Sequence, residues 1–184
     1  MKEKKDLAIH IIDSPINGGF AAGNNLALKW AHQNTPKAWN LLLNNDTLLP
    51  TDFLEIFTRT AEELNRINTK PFALSATEYD FSKQNKRHTG KQYISIPTGL
   101  CFTNNGLLRT PYLCGACILI DPYAPLFDEG YFLYFEDSDI TRTVRKYARV
   151  VFDPSVVVYH EWERESKHNF KLLLVHIRSM FYYM

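Results

Sequence analysis

Cysteine is scarce: three residues in 184, an odd count that argues against a disulfide scaffold and for a reducing, cytoplasmic setting. Glycine, at 8, and proline, at 9, are too few for a collagenous or low-complexity chain, and 45% hydrophobic beside 22% charged residues is the balance of a folded domain. Charge of one sign is missing too. Lys and Arg number 21 against 20 Asp and Glu, a net charge of +1, so no strong field draws in nucleic acid and no nucleic-acid partner is expected. Long apolar runs are also absent. The run from Leu7 stops at Asp13 without a small-residue cleavage site, unlike a secretory leader, and Leu172–Met184, broken by His176 and Arg178, is too short to span a bilayer. The length suits a single domain, 1–184, with a sizeable core.

What is present reads as alternating strands and helices. Ala8–Ile12 is a short apolar run ending in Asp13-Ser14-Pro15, the pattern of a buried strand entering a turn. A helix is expected from near Gly23, with Leu26, Ala27 and Trp30 at helical spacing. Ala38–Leu43 is a continuous apolar run, as in a strand covered on both faces. Asp52 and Glu55 have capping-box spacing ahead of the stripe Phe53, Phe57, Ala61 and Leu64, and Phe72–Thr77 follows as another strand. This order predicts an α/β domain with a mostly parallel sheet flanked by helices. Residues 78–110 are polar and turn-rich, a loop or marginal hairpin with alternation at Tyr93–Ile96. Beyond them Gly115–Ile120, Val150–Phe152 and Val156–Tyr159 read as strands. Ile140, Val144 and Tyr147 mark a helix, and Phe170, Leu173, Leu174, Ile177 and Phe181 a terminal amphipathic one. That last helix either packs on the core or docks on a membrane surface.

Several clusters could carry chemistry. Gly18, Gly19 and Gly23 lack the Lys-Ser or Lys-Thr of a phosphate loop and the spacing of a dinucleotide fingerprint. They either form a tight turn for close helix packing or hold Asn17, Asn24 and Asn25 where these amides meet a ligand. Asn44, Asn45 and Asp46 end an apolar strand, where ligands of open α/β sheets bind; a carboxylate there can share a divalent ion with a diphosphate. An Asx-rich turn is the plainer reading. Glu136, Asp137 and Asp139 follow the aromatic stretch 131–135, which can desolvate a carboxylate into a better base, or they simply favour a helix amino end. His160 closes a Val-rich strand as a cleft residue or a hydrogen-bonded structural one. Cys114 and Cys117 form a CxxC with no second pair to complete a zinc site.

In order and spacing, four segments resemble the inverting family 2 glycosyltransferases of GT-A fold, in particular their rhamnosyltransferase-like branch. They are Asn17-Gly-Gly-Phe-Ala-Ala-Gly-Asn-Asn25, Leu42-Leu-Asn-Asn-Asp-Thr47, Gly115-Ala-Cys-Ile-Leu-Ile120 and the run from Phe127 to Ile140 that holds Glu136-Asp-Ser-Asp139, followed by Val158-Tyr-His160. The resemblance implies a Rossmann-like GT-A sheet in which 1–77 belongs to the nucleotide-sugar half, 78–110 is a variable excursion and 111–184 forms the acceptor half. It implies Mg²⁺ or Mn²⁺ at Asp46, with His160 beside the metal or diphosphate and Asn44 standing where many members carry an aspartate. Asp137 would be the general base, with Glu136 beside it in the acceptor site. Asn17, Gly18, Gly19, Gly23, Asn24 and Asn25 would contact the nucleotide sugar, and Gly115 and Ala116 would keep the sugar pocket open. The expected partners are a nucleotide-sugar donor and a glycan or lipid-linked acceptor for cell-surface polysaccharide, at the inner face of the plasma membrane, with homo-oligomers allowed. Family members begin with a strand, helix and strand, at least roughly 30 residues, ahead of the segment resembled here, so an amino-terminally incomplete domain is expected. The alternative is an inactive remnant that serves only as a binding domain.

Overall fold

Alternation along three strands decides where the core lies. In the computed structural model, which describes residues 8–67, 71–80, 86–87, 93–102, 104–160 and 169–184, the elements are α1 (Gly19–Asn34), β1 (Asn40–Leu43), β2 (Thr47–Leu48), α2 (Phe53–Ile67), β3 (Phe72–Asp80), β4 (Lys86–Arg87), β5 (Tyr93–Ser95), β6 (Cys101–Phe102), β7 (Arg109–Pro111), β8 (Cys117–Ile120), α3 (Glu136–Val144), β9 (Arg149–His160) and α4 (Phe170–Tyr183). Side chains of successive strand residues point to opposite faces. Leu42, Ala73, Ile118 and Ile120 therefore meet Ala21 and Leu28 of α1 and Ile140 and Val144 of α3 on one face. Phe72, Leu74, Cys117, Leu119, Val156 and Val158 meet Phe53 and Phe57 of α2 on the other. A sheet covered on both faces needs the continuous apolar runs seen at 41–43 and 117–120.

The fold is mixed α/β, but the expected mostly parallel sheet does not form. The main sheet has the order β1-β8-β3-β9-β2, with β4 on the end of β3. Only β3 and β9 pair in parallel; β1 with β8, β8 with β3, β9 with β2 and β3 with β4 are antiparallel. The cause is the position of β8, which returns from the 78–110 excursion and inserts, reversed, between β1 and β3. Both neighbours oppose it, so β1 and β3 point the same way, and β9 with them. Three carboxyl ends and the start of β8 thus share one edge of the sheet.

Other expectations change at the boundaries. Residues 8–12 form no strand: Ile9 and Ile11 are 82% and 85% exposed, because an extended segment is held only by ladder hydrogen bonds and none is made here. The first helix begins at Gly19 rather than near Gly23. The two expected strands 150–152 and 156–159 are one 12-residue strand, irregular opposite Ser75–Thr77. The polar excursion holds a three-stranded sheet, β6-β5-β7. Among the described residues no helix is long and apolar enough to cross a membrane.

Candidate active site

The shared sheet edge opens into a cavity of about 400 Å³ lined by residues from every part of the chain. Asn44 enters from the end of β1, Glu78 from β3, His160 from β9, and Gly115 and Ala116 from the approach to β8. Glu136, Asp137 and Ser138 come from the first turn of α3, Gly99 and Leu100 from the excursion and His176 from α4. Ligands of open sheets bind at strand carboxyl ends, and here direction, not pairing, assembles that edge.

On the sheet side, His160 Nε2 lies 3.3 Å from Asp46 Oδ1, and its Nδ1 lies 3.8 Å from Glu78 Oε2. Register brings this about: Thr47 faces His160, and β2 is the short continuation of the Asn44–Asp46 turn. Asn44 N–H donates to the Ala116 carbonyl at 3.1 Å, and Thr47 Oγ1 donates to the same oxygen at 3.4 Å, stitching the turn to the start of β8. Glu78 is buried, and its Oε1 makes no hydrogen bond among the described residues. A buried carboxylate oxygen in that state calls for a cation or water. Asp46 and His160 fit a divalent ion as partial donors; among the described residues no group of three or more His, Cys, Asp or Glu could hold one alone.

Across the cavity, the backbone makes an abrupt approach to α3. Tyr134 and Phe135 both adopt positive φ, 68° and 67°, each costing about 1–2 kcal/mol for a residue with a side chain. Such strain concentrates where a site needs an unusual direction of chain. Asp137 Oδ1 accepts from the Ser138 N–H at 2.9 Å, and Oδ2 accepts a short hydrogen bond from the Tyr112 hydroxyl. Burial, and next the charge of Asp137, push the Tyr112 hydroxyl well above the ordinary tyrosine range, so it remains a donor at neutral pH. Asp139 turns away to pair with Arg142. The carboxylates of Glu136, Asp137 and Asp139 also complement the amino end of α3.

The 17–25 segment is corrected. Because α1 starts at Gly19, Asn24 and Asn25 lie inside it: Asn24 Nδ2 donates to the Phe20 carbonyl of its own helix at 3.0 Å. Asn25 is buried, donating to Phe127 O and Glu129 Oε1, both at 2.9 Å, and accepting from Phe127 N–H at 2.8 Å. Its amide holds the 127–129 loop. Asn17 Oδ1 accepts from Gly19 N–H at 3.0 Å at the surface. Gly18 packs beside Ala22, and Gly23 faces open space. From this segment Phe20 reaches the cavity, where its ring sits 3.1 Å from the place of a Cβ on Gly115. Gly115 therefore makes room for an aromatic ring.

Glu78, Tyr112 and His176 are cavity residues that sequence reasoning missed. Glu78 had a usable signal, since β3 simply runs farther than its apolar core; Tyr112 and His176 arrive through tertiary packing, the His176 ring lying tilted to Tyr134 and edge-on to Phe135 with centroids 4.9 and 5.4 Å away. The CxxC is structural: Cys117 N–H donates to Cys114 O at 3.2 Å, both residues are buried, and neither is in a disulfide. Burial, and then the nearby Glu78 charge, push the Cys117 thiol from 9.0 up to about 12. Its stability contribution is therefore complete below about pH 9 and is lost as pH rises toward about 12. Iodoacetamide at pH 8 should label half-buried Cys101 in the native protein and reach Cys117 only after denaturation; mass spectrometry reads the result.

No protein-family model matches the chain, and no curated protein sequence matches it.

Proposed function

We propose that the protein is an inverting, nucleotide-sugar-dependent glycosyltransferase domain of GT-A type. One observation carries the reading: Asp137 and His160 line the same cavity, with Asn44 and Glu136 on its walls, and Asp46, just outside that lining, lies 3.3 Å from His160. The common direction of β1, β3 and β9 supports the fold assignment, since it gathers their ends as a donor site needs. In this mechanism Asp137 takes the proton of an acceptor hydroxyl. That oxygen bonds to the anomeric carbon from the face opposite the diphosphate, the carbon–oxygen bond to phosphate breaks, and configuration inverts. Tyr112 and Ser138 hold the carboxylate in place by their hydrogen bonds. Asp46 and His160 would hold Mg²⁺ or Mn²⁺ with the donor's phosphates, where the ion offsets charge on the departing diphosphate.

Calorimetric titration with uridine and thymidine diphosphates, with and without Mn²⁺, tests this. Metal-dependent binding by the native chain, weakened at least about tenfold in Asp46→Ala, is the expected result. Absence of metal-dependent binding to any nucleoside diphosphate would favour a non-catalytic binding domain.

A further inference from the structure

Helix α4 presents two unlike faces. Its inner face is spent on the protein: Ser179 Oγ donates to Leu133 O at 2.9 Å, Tyr183 OH donates to Ile96 O at 2.8 Å, and His176 lines the cavity. The outer face is apolar. Phe170, Leu173, Leu174, Ile177, Phe181 and Met184 are 72%, 41%, 51%, 38%, 66% and 64% exposed. They follow one another at the three- and four-residue steps of a single helical stripe. A stripe of this kind normally faces a core; here it faces outward.

Its edge is basic. Lys171 and Arg178, seven residues apart, are exposed along one flank, and the helix contains no Asp or Glu. We infer that this face docks on the surface of an anionic lipid bilayer, with the apolar stripe entering the headgroup boundary and Lys171 and Arg178 against lipid phosphates. Apolar residues with aromatic members beside a cationic flank are the composition of helices that lie in a membrane interface. A second copy of the chain suits the face less well. The 14-residue helix is about 21 Å long and its stripe about 10 Å wide, giving about 200 Å² against the about 800 Å² per partner that a stable dimer buries. The net charge of +1 supplies no long-range attraction, so contact depends on these local cations and the stripe together. Because His176 of the same helix lines the cavity, docking brings the cavity within about one helix diameter, about 10 Å, of the lipid. Under the transferase reading above, on which this last step alone rests, that favours a lipid-linked acceptor over a free glycan.

Cosedimentation of the full chain with sucrose-loaded vesicles tests docking without any activity assay. Vesicles of phosphatidylglycerol and phosphatidylcholine in equal parts should pull down the native protein, and pure phosphatidylcholine vesicles much less. Lys171→Glu with Arg178→Glu should weaken partitioning at least about thirtyfold, and Leu174→Asp with Phe181→Asp should abolish it, with unchanged near-ultraviolet circular dichroism. Failure of the native chain to bind the anionic vesicles overturns the inference. So does a dimer in sedimentation velocity that Leu174→Asp with Phe181→Asp dissociates, since a second copy would then cover the face.

Discussion

Asp137→Asn is expected to lower sugar transfer by about 10²–10⁴-fold, the usual contribution of a positioned general base, while the fold persists. The substitution is close to isosteric. Its carbonyl can still accept from the Ser138 N–H, and its amide can donate to Tyr112, whose hydroxyl rotates to accept. What is lost is the ability to take a proton. Initial rates with the nucleotide sugar identified by calorimetry measure the effect, and thermal unfolding checks the fold. A folded variant with native rates would remove Asp137 from the base role, leaving it as an acid at a helix amino end.

Gly19→Ala should destabilise the protein by about 2–5 kcal/mol, combining the cost of left-handed backbone with that of overpacking. Gly19 has φ +85°, and a Cβ there would lie 2.0 Å from the Phe132 carbonyl oxygen, a backbone atom with little freedom to withdraw. Phe132 O also accepts from the Phe20 N–H at 3.1 Å, so the clash would break the contact joining α1 to the aromatic segment ahead of α3. Gly23→Ala is the matched control. Nothing lies within 4 Å of its Cβ position, and its place within α1 predicts stabilisation of about 0.5–1 kcal/mol. Urea denaturation of both variants measures the difference. Equal effects would mean that the close approach at Phe132 does not hold α1 in place.

This contrast shows why the 17–25 segment is hard to read. Spacing alone makes its glycines and asparagines equivalent, yet Gly19 is required by a backbone contact with residue 132 and Asn25 by contacts with 127 and 129. An amide that hydrogen-bonds a loop has the same sequence signature as one that hydrogen-bonds a sugar. The four-residue error in the start of α1 compounds this, because it puts Asn24 and Asn25 at the helix's amino end when they lie a full turn inside it. Asp46, Asp137 and His160 are easier cases. Each stands where an apolar or aromatic run stops, and the solvation cost of a buried charge keeps such groups at element ends.

The chain's local pattern was sufficient for the helices at 53–67, 136–144 and 170–183, for the apolar stretches of strands at 41–43, 72–77 and 117–120, and for polar groups near their ends. Side-chain period and desolvation act within a few residues, so they are written into neighbouring positions. Strand order was not. Whether β8 lies beside β1 and β3, and in which direction, depends on how a 33-residue excursion, 78–110, returns to the sheet. No short window encodes that. The same long-range closure brings Glu78, Tyr112 and His176 to the cavity and leaves the apolar face of α4 turned outward. Which face of an amphipathic helix meets the core is settled by what else competes to cover that core.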